Sequence, residues 1–178
     1  PLEEHADTRT VDGAARYAAS TASWLAKDGR LDGVRLVIDL SAGAASTTAP
    51  AVLRALGADL VALHPASSRP INEACGSEHP GAWLEAVEAE RGAVGLAFDG
   101  DADRVLLADD DGEILDGDDA LAILAQDALQ RGALPGRRVV STVMANLGLE
   151  ERLGAMGVEL ERTAVGDRNV AERMRELE

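Results

Sequence analysis

Aromatic side chains are nearly absent from this sequence. One Phe, one Tyr and two Trp account for 2% of its 178 residues. This scarcity argues against a β-sandwich with an aromatic core, because Ala, Leu and Val must fill the interior and suit helices packed on a sheet. Hydrophobic residues still make up 46% of the chain. The sequence can therefore bury the cores of one large domain or two small ones.

Positive charge and long apolar runs are also scarce. The formal net charge is −15 at pH 7, and Lys27 is the only lysine. A strongly acidic chain repels nucleic-acid phosphates and anionic lipid headgroups, so neither nucleic acid nor membrane is expected as a partner. No apolar run approaches membrane-spanning length, and no charged segment followed by an apolar one opens the chain. An anionic substrate would need local help from arginine, a metal ion or a helix N-terminus.

Cysteine is equally scarce, since Cys75 is the only one. The chain can form no internal disulfide, which fits a reducing compartment, and we expect a cytoplasmic location. A cysteine of this kind is best interpreted as a small buried side chain. His79 is interpreted as a turn or capping residue, and no partner is identified for His64.

Strands and helices alternate along the sequence in two series, with a break near residues 109–116. The run Val34–Asp39 is almost entirely apolar, as expected for a strand buried on both faces of a parallel sheet. The predicted fold class is α/β, with two consecutive mixed, mostly parallel α/β units, the second truncated. We expect residues 1–9 to be disordered or a linker, 10–108 to form the first unit and 109–178 the second. The predicted strands are 34–39, 59–63, 93–98, 105–108, 138–142 and 158–163, and the predicted helices are 11–26, 48–56, 80–90, 116–130, 147–156 and 170–177.

Three aspartates, Asp99, Asp101 and Asp103, alternate directly after the third predicted strand. In an extended segment, side chains at i, i+2 and i+4 share one face. Three carboxylates on one face repel each other unless a cation lies between them, and hard oxygen ligands suit Mg²⁺ or Ca²⁺. Gly100 and Ala102 are small enough to let the segment curl around an ion. Ligands of open α/β sheets also bind beyond the carboxyl ends of strands.

Two other interpretations of this segment are an EF-hand loop and a solvated acidic turn. An EF-hand needs Gly at the sixth position and Glu at the twelfth, where this sequence has Arg104 and Asp110. The apolar strand on each side argues against a merely solvated turn, whereas a hydrated hairpin tip explains Asp109–Asp111. Arg104 can bind a phosphate oxygen or form a salt bridge with one of the neighbouring aspartates.

The segment Phe98–Arg104, which reads Phe-Asp-Gly-Asp-Ala-Asp-Arg, resembles the metal-binding loop of the α-D-phosphohexomutases. Further segments resemble the same family, in the same order, over nearly the full chain. They are Ile71-Asn72, Cys75-Gly76-Ser77, His79-Pro80, Asp116-Gly117-Asp118, Asn146-Leu147-Gly148-Leu149 and Val165-Gly166-Asp167-Arg168. Within the family, the resemblance is strongest to the phosphoglucosamine mutases.

The resemblance implies both a fold and a reaction. Residues 10–108 would be the family's second domain, and 109–178 the first part of its third. In these enzymes a phosphoserine gives its phosphoryl group to a hexosamine or hexose monophosphate. The bisphosphate intermediate turns over, and its other phosphate returns to the serine.

The resemblance also assigns residues to roles. Asp99, Asp101 and Asp103 would hold Mg²⁺, and Arg104 would stabilise the transferring phosphoryl group as a catalytic residue. The sugar-facing loop would be Gly166, Asp167 and Arg168, which would bind the hexosamine or hexose phosphate.

The sequence departs from the family pattern in several places. No serine lies in the family's Thr-Ala-Ser-His-Asn nucleophile pattern; Thr21-Ala22-Ser23 starts in the same way, but it lies in a predicted helix. Asn169 replaces the usual Tyr of the sugar-facing loop, and Ala42 replaces an Asn that would brace another loop. The sugar-selecting Gly-Glu-x-Ser loop and the fourth domain are not found. We therefore expect a central fragment of a phosphoglucosamine mutase, inactive alone, whose partners include the missing domains of the same polypeptide.

Two alternatives remain open at this point. A phosphomannomutase or phosphoglucomutase would share the metal loop, so the loop does not separate these enzymes. A metal-binding or interaction module without catalysis would fit the substitutions at Ala42 and Asn169.

Overall fold

A computed structural model describes residues 11–177, so the predicted linker 1–9 lies outside the described residues. The chain divides into two compact units between Ile114 and Leu115. This division lies after the boundary expected at residues 108/109 and falls inside a short strand, 114–115, at the edge of the five-stranded sheet.

The first unit is a mixed sheet with helices on both faces, which confirms the predicted α/β class. Its elements are α1 (Gly13–Leu25), β1 (Arg35–Asp39), α2 (Ala45–Ala55), β2 (Asp59–Leu63), α3 (Gly81–Ala89), β3 (Val94–Phe98), β4 (Val105–Ala108) and β5 (Ile114–Leu115). The strand order is β2-β1-β3-β4-β5. β1 pairs in parallel with β2 and β3, whereas β4 runs antiparallel to β3 as the second arm of a hairpin.

Strand β1 is buried on both faces, as its apolar sequence predicted. Val37 contributes to a core cluster with Trp83 and Val87 of α3, on one side of the sheet. Ile38 lies in the cluster on the other side, where Ala45 of α2 also packs. Helix α1 then packs on α2 through a small third cluster. This layering fixes β1, which ends at Asp39.

The carboxyl ends of β1, β2 and β3 lie at one edge of the sheet. Asp39 is in register with Leu63 of β2 and with Ala97 of β3. The residues that follow these strands, His64 and Asp99, are therefore brought to the same edge as Asp39. Such an edge is where open α/β sheets bind their ligands.

The second unit is described by itself and contains a two-stranded parallel sheet. Its core includes Ala125, Leu149, Leu153 and Val158. The elements are α4 (Gly117–Gln130), a 3-10 turn (Pro135–Arg137), β6 (Arg138–Thr142), α5 (Leu147–Ala155), β7 (Glu159–Thr163) and α6 (Asp167–Leu177).

Asp116 begins α4 with a capping box. Its carboxylate accepts hydrogen bonds from the backbone N–H groups of Asp118 and Asp119, and the Asp119 carboxylate accepts one from the Asp116 N–H. This arrangement satisfies donors that the first turn of a helix leaves free. Asp118 instead accepts a hydrogen bond from the Asn146 backbone at 2.8 Å. Asp116 is therefore the residue that caps this helix.

Helix α6 begins at Asp167, three positions before the predicted start at residue 170. The Gly166 carbonyl already accepts hydrogen bonds from the backbone N–H groups of Asn169 and Val170. Two of the three residues expected in a sugar-facing loop therefore lie in the first turn of a helix.

Among residues 11–177, no helix combines the length and the apolarity that crossing a lipid bilayer would require.

Candidate metal centre

The carboxylate loop, Asp99–Arg104, connects the antiparallel strands β3 and β4. It is a turn rather than the extended segment that the alternation of aspartates suggested, with Ala102 at φ +62°. The Ala102 backbone N–H donates to the Asp99 carbonyl at 3.2 Å, which closes the turn. The prediction that an extended segment brings the three aspartates together was therefore wrong, although their carboxylates do lie close together.

The turn brings one carboxylate oxygen each from Asp99, Asp101 and Asp103 within 4.8 Å of one another. Asp99 is 1% exposed, whereas the other two side chains face solvent. Three hard oxygen donors, one anchored and two open to water, form a donor set that suits Mg²⁺, an ion that commonly keeps several water ligands. The residues present therefore fit a divalent cation.

Arg104 provides the positive charge in this loop. Its Nε donates to Asp99 Oδ2 at 2.9 Å, and its backbone N–H donates to Asp99 Oδ1 at 3.1 Å. The same Nε lies 3.6 Å from Asp103 Oδ1, and Nη2 donates to Glu78 Oε1 at 3.1 Å. Arg104 thus forms the predicted salt bridge with a neighbouring aspartate, Asp99. It also pairs with Glu78, a partner that the sequence did not reveal.

The electrostatics of the loop differ between the buried and the exposed carboxyl groups. Burial alone would raise the pKa of Asp99, but hydrogen bonds from the Arg104 backbone, from Asp103 and from the Arg104 side chain outweigh it, and the pKa is lowered. The pKa of Asp103 is raised, mainly by its hydrogen bond with Asp99 and by the charges of Asp101 and Asp99. A cation bound between these carboxylates would relieve their mutual repulsion.

Two other loops pack against the backbone of the carboxylate loop. Ala44, at the end of the loop after β1, donates its N–H to the Gly100 carbonyl at 2.9 Å. Ser77, in the long loop before α3, donates its N–H to the Phe98 carbonyl at 3.0 Å. A Cβ atom added to Gly43 would overlap the Gly100 carbonyl, so this close approach requires glycine. The carboxylate loop is therefore held in place by residues far from it in sequence.

A second cluster lies at the same edge of the sheet. Asp39, His64 and Cys75 bring a carboxylate oxygen, a ring nitrogen and a sulfur within 4.8 Å of one another. Asp39 and Cys75 are fully buried, which confirms the interpretation of Cys75 as a buried side chain. His64, for which the sequence offered no partner, has its Nδ1 2.9 Å from Asp39 Oδ2. A polar residue ending a buried parallel strand was the signal that could have drawn attention to Asp39.

The residues predicted to bind the sugar lie in the second unit. Gly166, with φ +131°, lies between β7 and α6. Asp167 and Arg168 are the first two residues of α6. Arg168 is highly exposed and pairs with Glu172 at 2.8 Å, one turn along the helix. Asn169 donates its side-chain amide to the Val165 carbonyl at 3.1 Å, which ties the loop to the helix start.

Comparison with known proteins agrees with this architecture. A family model described as phosphoglucomutase/phosphomannomutase, alpha/beta/alpha domain II, matches residues 15–112, and the model of domain III of the same family matches residues 116–178. The chain belongs to the phosphoglucomutase/phosphomannomutase family. The family resemblance found in the sequence is thereby confirmed, and the two matched ranges flank the division between the two units.

Individual relatives of this family cover nearly all of the chain. It is 46% identical over 172 residues to the phosphoglucosamine mutase of Gluconacetobacter diazotrophicus, which accounts for 96% of this chain and 38% of that protein. A family protein from Burkholderia thailandensis aligns in structure with a TM-score of 0.77 and 26% identity, over 95% of this chain and 37% of its own. The chain thus spans less than two fifths of these mutase-family relatives.

A solved structure of lower sequence identity shares the fold. It is the N-acetylphosphoglucosamine mutase of Aspergillus fumigatus, described in complex with GlcNAc-6P and magnesium. The TM-score is 0.66 at 21% identity, over 89% of this chain and 36% of that one.

Proposed function

We propose that these residues are the second domain and part of the third domain of a phosphoglucosamine mutase, which interconverts glucosamine 6-phosphate and glucosamine 1-phosphate. The observation that carries the proposal is the three-carboxylate turn at the end of β3, in a chain 46% identical to a protein of that name. The relatives are longer than this chain, so the activity is proposed for a polypeptide that contains it.

The metal of this enzyme is proposed to be Mg²⁺, held by Asp99, Asp101 and Asp103. The donor set consists of carboxylate oxygens, which Mg²⁺ prefers. The fold relative from Aspergillus fumigatus is described with magnesium, which supports the choice of ion. The ion would supply positive charge that stabilises a transferring phosphoryl group.

Arg104 is proposed to be a catalytic residue that pairs with the phosphoryl group. Its side chain is 61% exposed even though it contacts Asp99 and Glu78, so N–H donors remain accessible at the loop surface. A guanidinium offers paired donors that match phosphate oxygens. Phosphoryl transfer depends mostly on positioning and on neutralising charge, and a rigidly anchored arginine beside a metal contributes to both.

The phosphoryl donor is proposed to be a phosphoserine outside residues 1–178, through a bisphosphate intermediate. Thr21-Ala22-Ser23, the one segment that begins like the family's nucleophile pattern, lies within α1. Helical backbone is unlike the exposed loop from which a nucleophile reaches a substrate. Gly166, Asp167 and Arg168 are proposed to bind the sugar, and the cytoplasm remains the predicted location.

The alternative substrates are mannose and glucose phosphates, because the matching family models carry the names of phosphoglucomutase and phosphomannomutase. Turnover of glucosamine 1-phosphate, mannose 1-phosphate and glucose 1-phosphate by the longest native polypeptide that contains this chain separates the candidates. We expect kcat/KM to be highest for glucosamine phosphate by at least about tenfold, which corresponds to about 1.4 kcal/mol.

The same preparation should be tested as the Asp101→Asn variant, with Asp110→Asn at the exposed tip of the β4–β5 turn as the matched control. Loss of turnover only in Asp101→Asn would tie the activity to this chain. Faster turnover of mannose or glucose phosphate would favour the alternative enzyme, and no turnover of any of the three would contradict a mutase.

A further inference from the structure

Asp39 is a fully buried carboxylate whose two oxygens are both engaged. Oδ1 accepts a hydrogen bond from the Ser41 backbone N–H at 2.9 Å, and Oδ2 accepts one from the Gly76 backbone N–H at 2.9 Å. His64 Nδ1 lies 2.9 Å from Oδ2, and because a carboxylate only accepts, this nitrogen is the donor. A buried charge is tolerated when it is fully hydrogen-bonded in this way.

The three donors belong to three different segments. Ser41 opens the loop after β1, His64 follows β2, and Gly76 lies in the long loop before α3. Asp39 therefore ties these segments together at the carboxyl edge of the sheet. The sequence separations are large, with 25 residues to His64 and 37 to Gly76.

Two of these segments touch the carboxylate loop on their other side. One residue after Gly76, the Ser77 N–H donates to the Phe98 carbonyl at 3.0 Å, and a Cβ atom at Gly76 would lie against that same carbonyl. In the loop that Ser41 opens, the Ala44 N–H donates to the Gly100 carbonyl at 2.9 Å. Two short segments, 41–44 and 76–77, thus connect Asp39 to the backbone on both sides of Asp99.

Ser41 and Asn72 add a cross-link between the two bracing loops. The Ser41 hydroxyl donates to Asn72 Oδ1 at 2.5 Å, and the Asn72 backbone N–H donates to the Ser41 carbonyl at 3.1 Å. A Cβ atom added to Gly100 would meet the Asn72 amide at 3.0 Å. The cross-link therefore lies directly against the middle of the Asp99-Gly100-Asp101 turn.

Backbone strain is concentrated in the same three segments. Ser41, Ala42, His64, Asn72 and Ala74 have φ between +46° and +62°, a region that residues with a Cβ atom rarely adopt. Conformations of this kind persist only where the surrounding structure over-determines them, and they cluster at functional sites. The hydrogen bonds to Asp39 are among the contacts that hold these three segments in place.

The cluster of Asp39, His64 and Cys75 also has donor types found in metal sites, but its hydrogen bonds favour a brace. Burial and the nearby Asp39 charge raise the pKa of the Cys75 thiol, which disfavours the thiolate form that binds metals. The oxygen of Asp39 that faces His64 already accepts two hydrogen bonds.

We propose that Asp39, together with His64, is a positioning group that fixes the backbone of the carboxylate loop and thereby sets its affinity for a divalent cation. This inference rests on the metal assignment of the proposed function. Asp39 acts through the two bracing loops and does not touch the ion. Outer groups that orient metal ligands typically change metal affinity by 10–100-fold when they are replaced.

The test compares Asp39→Asn and His64→Gly with the wild-type chain, and uses Asp59→Asn as the matched control. Asp59 allows the same Asp→Asn change at the opposite end of the strands, where it forms a salt bridge with Arg35 of the neighbouring strand. Mn²⁺ alone is the probe, with affinity measured from its electron paramagnetic resonance signal. Amide NMR shifts of residues 99–104 report the loop backbone without metal, and far-UV circular dichroism reports folding.

We expect Asp39→Asn to weaken Mn²⁺ binding by about tenfold or more. His64→Gly, which removes one of three hydrogen bonds and relieves the positive φ, should weaken it by a smaller factor. Both variants should shift the amides of residues 99–104, and Asp59→Asn should change neither quantity. If Asp39→Asn does not fold, His64→Gly carries the same test.

Wild-type affinity in both folded variants, with unmoved amides at residues 99–104, would overturn the proposal. If the wild-type chain itself does not bind Mn²⁺, the metal assignment fails instead. The amide shifts then decide the positioning role alone: movement supports it and no movement overturns it.

Discussion

Replacing Trp83 with alanine is expected to lower the free energy of unfolding of the first unit by about 3–5 kcal/mol. The indole is the largest fully buried side chain and lies between α3 and the sheet, against Val37 and Val87. Its Nε1 donates to the Val37 carbonyl at 3.1 Å, so the substitution also removes a buried hydrogen bond. A neighbouring side chain cannot easily fill the space, because Gly95 lies opposite the ring.

Urea denaturation followed by circular dichroism measures this loss, and Trp24→Ala is the matched control. Trp24 is 63% exposed near the end of α1, so the same change there should cost less than about 0.5 kcal/mol. Equal losses for the two variants would contradict a core built around Trp83. Trp83→Phe should fall between them, since it keeps most of the apolar volume but loses the hydrogen bond.

Gly43→Ala is expected to abolish or strongly weaken divalent-cation binding while the sheet remains folded. A Cβ atom at this position would overlap the carbonyl of Gly100, a backbone group that cannot rotate away as a side chain can. Either the loop after β1 or the carboxylate loop must move, and the Ala44–Gly100 hydrogen bond at 2.9 Å would be lost with it. Overpacking of this kind also costs about 1–3 kcal/mol of stability.

The measurement is the Mg²⁺-dependent rise in melting temperature, compared with that of Gly81→Ala. Gly81 begins α3 and has no atom within 4 Å of an added Cβ, so its variant should respond to Mg²⁺ as the wild type does. An unchanged Mg²⁺ response in Gly43→Ala would mean that the contact between the two loops does not shape the site.

Much of the fold could be predicted because local patterns determine it. The apolar run before Asp39 predicted a strand buried on both faces, and β1 is such a strand. The strands 59–63, 105–108 and 138–142 have the bounds that were predicted, since turn residues or charges mark their ends. The start of α6 was misplaced, because Asp167 and Arg168 were assigned to a loop by resemblance, whereas the Gly166 carbonyl accepts the first helical hydrogen bonds.

The candidate site was only partly visible in the sequence. Asp99, Asp101 and Asp103 are adjacent in the chain, so their clustering could be expected, although a turn at Ala102 rather than an extended segment produces it. The contacts of Asp39 with His64 and of Arg104 with Glu78 join residues more than 20 positions apart. Contacts of this kind depend on strand order and loop packing, which no local pattern encodes.

The central claim is that Asp99, Asp101 and Asp103 hold a divalent cation, and the Mg²⁺-induced change in thermal stability of Asp101→Ala tests it most directly. A metal that binds only the folded state stabilises it by mass action, by about 1.4 kcal/mol when its concentration is ten times Kd. We predict that this stabilisation occurs in the wild-type chain and in Asp110→Ala, and that it is lost in Asp101→Ala. The same Mg²⁺-dependent stabilisation in Asp101→Ala as in the wild type would contradict the metal site.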